Sequence, residues 1–233
     1  MLSIRIPFYN EAANIILVLD TFVSISKYYS DWELICVDDG SIDGSDKIFK
    51  RLQTDNSYPF AKFISYSPNR GYGNAIMTGV RAASGEIIAW THSDLQTAPE
   101  DIFRAYDAFQ NSLDKKIIIK GWRAKRKLSQ VIFSFGMALV ASLILRRKLT
   151  EINAQPKLFS KEIVKLLKGA PADFSLDLYL LCIAGNNGYK IKTIDVSFRA
   201  RQHGKSSWAD SWKTKLKTIW RSIKYIWRLR KEV

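Results

Sequence analysis

Short apolar runs alternate with longer amphipathic stretches through the first hundred residues of the chain. Residues 4–8, 32–37, 60–66 and 86–90 are compact, mostly apolar segments of strand length. Between them, residues 11–28, a stretch opening at about Ser45, and residues 74–83 space their apolar positions as helices do. A further helix opens at Pro99-Glu100-Asp101, where proline and acidic residues suit a first turn. Asp38-Asp39-Gly40-Ser41 and Asn69-Arg70-Gly71-Tyr72-Gly73 punctuate the pattern as turns. Strands separated by helices predict an α/β fold on a mostly parallel sheet, with the ligand site beyond the carboxyl ends of the strands.

The pattern changes in the second half. Residues 131–145 form the longest apolar run, flanked by Lys125-Arg126-Lys127 and Arg146-Arg147-Lys148. It is shorter than the roughly 20 residues a spanning helix needs. As a core helix it would be ordinary; basic clusters at both ends favour an interfacial helix beside anionic headgroups. From Ser206 onward, helical spacing puts Trp208, Trp212, Leu216, Ile219, Ile223 and Ile226 on one stripe, with Trp220 and Trp227 along its edge. Lys213, Lys217, Arg221, Lys224 and Arg228 fall on the adjoining face. Docking on the core is the default for such a helix. The basic polar face and the tryptophans point instead to an in-plane helix on an anionic leaflet. The chain opens without a basic n-region or cleavage site, so it reads as a peripheral protein of the cytoplasmic face of a membrane. The expected division is 1–120, a catalytic-looking half; 121–148, an interfacial helix region; 149–205, the rest of the globular domain; and 206–233, the terminal helix.

Charge sharpens this reading. Thirty-six Lys and Arg against 22 Asp and Glu give +14, concentrated around 115–148 and 199–233. The partner is therefore anionic: nucleic acid, a membrane surface or a phosphorylated substrate. A hydrophobic fraction of 47% over 233 residues supports a full core. Cys36 and Cys182 lie in apolar stretches and read as reduced core thiols, too few for a zinc site.

Three polar clusters fall at predicted strand ends: Tyr9-Asn10-Glu11, Asp38-Asp39, and His92-Ser93-Asp94-Leu95-Gln96. Asp38 and Asp39 suit either hydrogen bonds to a nucleoside or a turn and helix cap. Asp94 and Gln96 would face the same way on an extended segment, as oxygen ligands for Mg²⁺ or Mn²⁺ held mainly through phosphates. The other use of Asp94 is to cap the helix opening at Pro99. His92 is a third candidate ligand or a structural histidine. Gly71 and Gly73 lack the third glycine of a dinucleotide cradle and read as a turn and helix start.

The ordered set Ile4-Arg5-Ile6-Pro7-Phe8-Tyr9-Asn10-Glu11, Val37-Asp38-Asp39-Gly40-Ser41, Asn69-Arg70-Gly71-Tyr72-Gly73 and His92-Ser93-Asp94-Leu95-Gln96-x-x-Pro99-Glu100 resembles the family 2 glycosyltransferases of GT-A fold. The similarity is to the dolichol-phosphate mannose synthase and polyprenyl-phosphate branch, over roughly residues 2 to 207. The resemblance implies nucleotide-sugar contacts at Pro7, Tyr9, Glu11, Val37, Asp39, Ser93, Asp94 and Arg123. It implies Asp94, Gln96 and possible help from His92 at Mg²⁺ or Mn²⁺, and Arg201, Lys205 and Ser206 at the acceptor phosphate. Asp94, Arg123 and Arg201 are then the catalytic groups. Three departures stand out: His92 replaces the first Asp of the metal motif, Ser207 replaces a final lysine, and Ile152-Asn153-Ala154-Gln155-Pro156-Lys157-Leu158-Phe159 replaces the usual Asp-Pro-x-Ser-Gly-Phe-Arg. Asn153, Gln155 and Lys157 remain available to a polar acceptor.

The implied reaction is inverting transfer from a UDP- or GDP-sugar to a polyprenyl phosphate. Such an acceptor is already ionised, so charge on the departing diphosphate is what must be stabilised. A saccharide hydroxyl acceptor would need a base, for which Asp173 and Asp177 are the candidates; for Asp173 helix capping is the preferred role. The competing readings are a non-catalytic basic module that binds lipid or nucleic acid, and a glycosyltransferase relative inactivated at His92. No RNA-recognition or helix-turn-helix signature appears, and the acidic strand ends disfavour nucleic acid.

Overall fold

The computed structural model describes residues 1–124, 128–201 and 212–232. Seven strands form one sheet in the order β3-β2-β1-β4-β6-β5-β7. They are β1 (Leu2–Phe8), β2 (Trp32–Asp39), β3 (Ala61–Tyr66), β4 (Ile87–Trp90), β5 (Ile117–Ala124), β6 (Lys157–Ser160) and β7 (Lys190–Ser197). The helices are α1 (Ala12–Ile25), α2 (Ser45–Asp55), α3 (Tyr72–Arg81), α4 (Glu100–Gln110), α5 (Leu128–Leu145), α6 (Leu176–Asn186) and α7 (Trp212–Glu232). β1 pairs in parallel with β2 and β4, β2 with β3, and β5 with β7. β6 alone runs antiparallel, between β4 and β5. The α/β expectation holds, and the four early strands and their helices fall where the pattern placed them within a few residues.

Alternation along the strands divides the core into two layers. Leu2, Ile4, Ile6 and Phe8 of β1 meet Ile15, Val18 and Phe22 of α1 and Phe103 of α4 on one face. Ile35 and Val37 of β2 and Trp90 of β4 meet Ile76 and Val80 of α3, several residues of α6 and the C-terminal part of α7 on the other. Cys36 and Cys182 are free and buried, as expected.

One polar staple joins three strands on the closed side of the sheet. Glu33 accepts from Ser3 Oγ at 2.6 Å and Ser84 N at 2.7 Å, and pairs with Lys62 at 2.6 Å. Burial alone would raise its pKa; the bonds from Lys62, Ser3 and Ser84 outweigh that and hold it at about 2. A carboxylate depressed this far contributes stability above its unfolded value of 4.5 that is lost as pH falls towards 2. Glu33→Gln is expected to cost roughly 3 kcal/mol at neutral pH. It should also flatten the pH dependence of urea unfolding across that window; an unchanged acid limb would show that Glu33 is not the group titrating.

α7 departs from the sequence expectation. Tyr225, Ile226 and Leu229 are buried in the core, whereas Leu216, Trp220 and Trp227 are exposed, Trp220 by 72%. Ile226 therefore lies apart from the tryptophan stripe. The helix carries two apolar faces, and at 100° per residue positions 216, 220 and 227 diverge from 225, 226 and 229. Docking on the core and an outward aromatic stripe are thus both present. α5 packs against α7 and is two-sided in the same way: Ala138, Ala141 and Leu145 face inward, and Ile132, Phe135, Leu139 and Leu143 lie exposed. Lys125-Arg126-Lys127 and Trp208 lie outside the described residues, as do the side chains of Trp212 and Lys213.

Candidate functional site

The polar clusters gather at the carboxyl ends of β1, β2 and β4. β2 runs two residues further than the apolar pattern suggested, so Asp38 and Asp39 close a strand rather than open a turn. Asp38 is buried, which pushes its carboxyl above the ordinary range despite hydrogen bonds from Ser41. Asp39 anchors the following loop. Its Oδ1 accepts from Tyr66 OH at 2.7 Å and Arg70 N at 2.8 Å, and its Oδ2 from Asn69 Nδ2 and Gly71 N, both at 2.9 Å. Each oxygen already holds two donors. Burial, and the bond to this carboxylate, push the Tyr66 phenol far up. Gly40 makes the close approach possible: it has φ +71°, and a Cβ there would meet Asn69 N at 2.5 Å. Tyr9 is exposed at the rim, Pro7 is half-buried, and Val37 is buried in the core beneath.

The metal-motif loop is turned, not extended. Leu95 has φ +53° and Asp94 Oδ1 accepts from Gln96 N at 3.1 Å, so Asp94 and Gln96 do not project from one face as the sequence suggested. Asp94 Oδ2 pairs with Arg201 Nη2 at 3.0 Å, and Arg201 Nη1 lies 3.5 Å from Glu11 Oε1. Gln96 Nε2 donates to the Arg199 carbonyl at 3.1 Å, and Arg199 N donates to the Gln96 carbonyl at 2.8 Å. Glu11, Asp94, Gln96 and Arg201, far apart in sequence, thus form one cluster. Burial pushes the Glu11 carboxyl upward, opposed by Asn14 and Arg201 and reinforced by Asp94 and Asp43. Ser93 is buried beside Asp94. Lys205, Ser206 and Ser207 lie outside the described residues.

His92 has its ring 5.5 Å from Tyr72, which itself stacks on Phe174 at 4.6 Å. Burial pulls the His92 pKa down against the raising influence of Asp94 and Asp177, favouring the neutral imidazole. Below it lies a polar hub absent from the sequence reading. Lys157 Nζ and Asp177 Oδ1 are 2.8 Å apart with both side chains 0% exposed. Asp177 also accepts from Trp90 Nε1 at 3.1 Å and from Gln155 Nε2 at 3.3 Å. Gln155 and Lys157 are therefore sequestered from any acceptor at the surface, while Asn153 is exposed. One signal was available: Lys157 and Asp177 are opposite charges, each lodged in an otherwise apolar element. Asp173 accepts from Ser175 N at 2.9 Å in the turn that leads into α6; the N-cap of that helix is Ser175, so the capping role expected for Asp173 is not what it performs. Arg123 Nε is bound by Glu151 at 2.7 Å, and its guanidinium lies over Phe198. Glu151 was not among the sequence candidates.

The donor chemistry fits a hard divalent ion. Asp94 and Glu11 present carboxylate oxygens, and a guanidinium already stands between them as a cation. Among the described residues no three His, Cys, Asp or Glu side chains are grouped to hold an ion by themselves. An ion here would depend on phosphate oxygens for the rest of its shell.

Comparison with known proteins agrees with this geometry. Residues 3–136 match the family model described as glycosyl transferase family 2. The undecaprenyl-phosphate 4-deoxy-4-formamido-L-arabinose transferase of Pectobacterium atrosepticum is 27% identical over 214 residues, covering 89% of this chain and 62% of that protein. The dolichol-phosphate mannosyltransferase of Pyrococcus furiosus is 29% identical over 242 residues, covering 98% of this chain and 63% of that protein. The chain thus spans about three-fifths of the length of these relatives. Among solved structures, glucosyl-3-phosphoglycerate synthase of Mycobacterium tuberculosis in complex with Mn²⁺, UDP and glucosyl-3-phosphoglycerate superposes with a TM-score of 0.70. The identity is 21%, and the match covers 99% of this chain and 79% of that one. The shared fold is GT-A, and with the family model matching more than half of its length, the chain belongs to glycosyl transferase family 2.

Proposed function

We propose that this protein transfers a sugar, with inversion, from a UDP- or GDP-sugar to a polyprenyl phosphate at a membrane surface. The reading is carried by the state of the acceptor-side carboxylates. Asp177 is wholly buried and ion-paired with Lys157, and Asp173 is held by Ser175 N in the turn before α6 and faces Arg221, so neither is disposed to take a proton from a hydroxyl. A phosphate acceptor needs no such base. The similarity to transferases named for undecaprenyl phosphate and dolichol phosphate supports the same acceptor class.

Asp94 would hold Mg²⁺ or Mn²⁺, with Glu11 facing the same position and His92 as a neutral nitrogen donor, and the ion would supply charge neutralisation for the departing diphosphate. Gln96, whose amide is spent on Arg199, shapes the loop. Glu11 and the Asp39-anchored loop border the nucleotide, with Tyr9 at the rim. Arg201 and Arg123 hold phosphate oxygens, and positioning the acceptor in line supplies much of the rate.

Outward faces of α5 and α7 give the surface its character. Ile132, Phe135, Leu139 and Leu143 on one helix, and Leu216, Trp220 and Trp227 on the other, are exposed beside Lys217, Lys224 and Arg228. Aromatic groups rimmed by cations suit the headgroup boundary of an anionic leaflet. No helix among the described residues is long and apolar enough to cross a membrane.

The test is a transfer assay across UDP- and GDP-sugars with undecaprenyl phosphate in anionic vesicles and, separately, with a short water-soluble polyprenyl phosphate. Transfer to both is expected, and transfer only to saccharide hydroxyls would overturn the reading. Phe135→Gln with Trp220→Gln should weaken vesicle binding at least about tenfold, given the apolar area removed. The same variant should spare transfer to the soluble acceptor. Equal vesicle binding would remove these helices from the docking surface.

A further inference from the structure

We infer that Arg201 is a tethered cation seated in the divalent-ion position of the resting protein, and that it must vacate that position before a metal–diphosphate binds. The inference rests on the reading of Asp94 as a metal ligand and concerns what the chain does in the metal's place. Three contacts tie segment 199–201 to the metal-motif loop: Arg199 N to the Gln96 carbonyl, Gln96 Nε2 to the Arg199 carbonyl, and Arg201 to Asp94. Asp94 is committed to this segment through Oδ2, and Gln96 is tied to it through its side-chain nitrogen. Of the Asp94 carboxylate, one oxygen accepts from the Gln96 backbone N–H and the other from the guanidinium.

Electrostatics gives the reason. Arg201 lies between the carboxylates of Asp94 and Glu11, 3.0 Å from one and 3.5 Å from the other, and offsets their mutual repulsion. A guanidinium cannot relieve the contact by losing its proton. Guanidinium and divalent ion therefore compete for the same Asp94 oxygen. Bringing phosphate oxygens with the metal favours the exchange, because they complete a shell that the protein alone does not provide. Arg201 is only 24% exposed here.

The experiment is Mn²⁺ titration of the full chain by electron paramagnetic resonance, without nucleotide, for the wild type, Arg201→Gln and Arg201→Lys. Removing the competing charge should tighten Mn²⁺ binding at least about fivefold in Arg201→Gln, the lower end of ordinary coupling between sites. Arg201→Lys, which keeps the charge, should stay near the wild type. Equal or weaker Mn²⁺ binding by Arg201→Gln overturns the inference. Should that variant fold poorly, arginine modification by phenylglyoxal, mapped by peptide mass, supplies a readout on the wild type. Mn²⁺ alone should accelerate modification of Arg201, and unchanged or slower modification overturns the inference. These outcomes are separable from the proposed reaction. Tighter Mn²⁺ binding by Arg201→Gln beside a wild type that transfers sugar from no donor would sink the reaction and leave the exchange standing; transfer by the wild type with unaltered Mn²⁺ binding in Arg201→Gln would do the reverse.

Discussion

Asp94→Asn is expected to lower turnover at least about a hundredfold, the scale associated with losing one preorganised charge contact in a transition state. Asparagine keeps the size of the side chain, and its oxygen can still accept from Gln96 N, so the turn at Leu95 should persist. What disappears is the negative charge that faces Arg201 at 3.0 Å and that would hold the ion. The change in folding stability should be within about 1 kcal/mol, because the ion pair is partly open to solvent. Steady-state transfer over Mg²⁺ and Mn²⁺ titrations, with melting curves alongside, separates the two effects. Turnover within threefold of wild type would remove Asp94 from the catalytic account.

The largest stability effect should come from the hub beneath the site. Asp177→Leu strands the Lys157 ammonium in the core and should cost about 3–5 kcal/mol, the range for breaking a buried pair from one side. Lys157→Met together with Asp177→Leu removes both charges and should recover most of that loss. Urea unfolding of the two variants is decisive. A single variant within 1 kcal/mol of wild type would mean that Lys157 sheds its proton without penalty, an outcome its burial-lowered pKa makes worth measuring.

The sequence made some of this legible and hid the rest for identifiable reasons. Clusters at the ends of β1, β2 and β4 are local motifs, so Glu11, Asp39, Asp94 and the strands that carry them could be read directly. The partners of these residues could not. Asp39 looked free to meet a nucleotide, yet Tyr66, Asn69, Arg70 and Gly71 from the next loop fill its oxygens. Arg123 could be read as a phosphate ligand, but not its partner Glu151, which holds its Nε. Pairing across long sequence separations leaves no periodicity to detect. The α7 stripe failed differently: Ile226 belongs to a second apolar face, and a helix with two such faces blurs into one on a linear pattern.

β6 has a consequence for how this molecule can be divided. It comes from residues beyond the family-model segment, yet it lies between β4 and β5 and satisfies the backbone of both. A fragment ending at residue 136 would leave two strands with unmatched amides and carbonyls facing an open slot, a template for intermolecular pairing. The strand-end motifs therefore cannot be excised as a portable cassette. Any recombination that swaps acceptor preference between relatives has to carry this short strand, with Lys157 at its head and the matching Asp177, as a linked set.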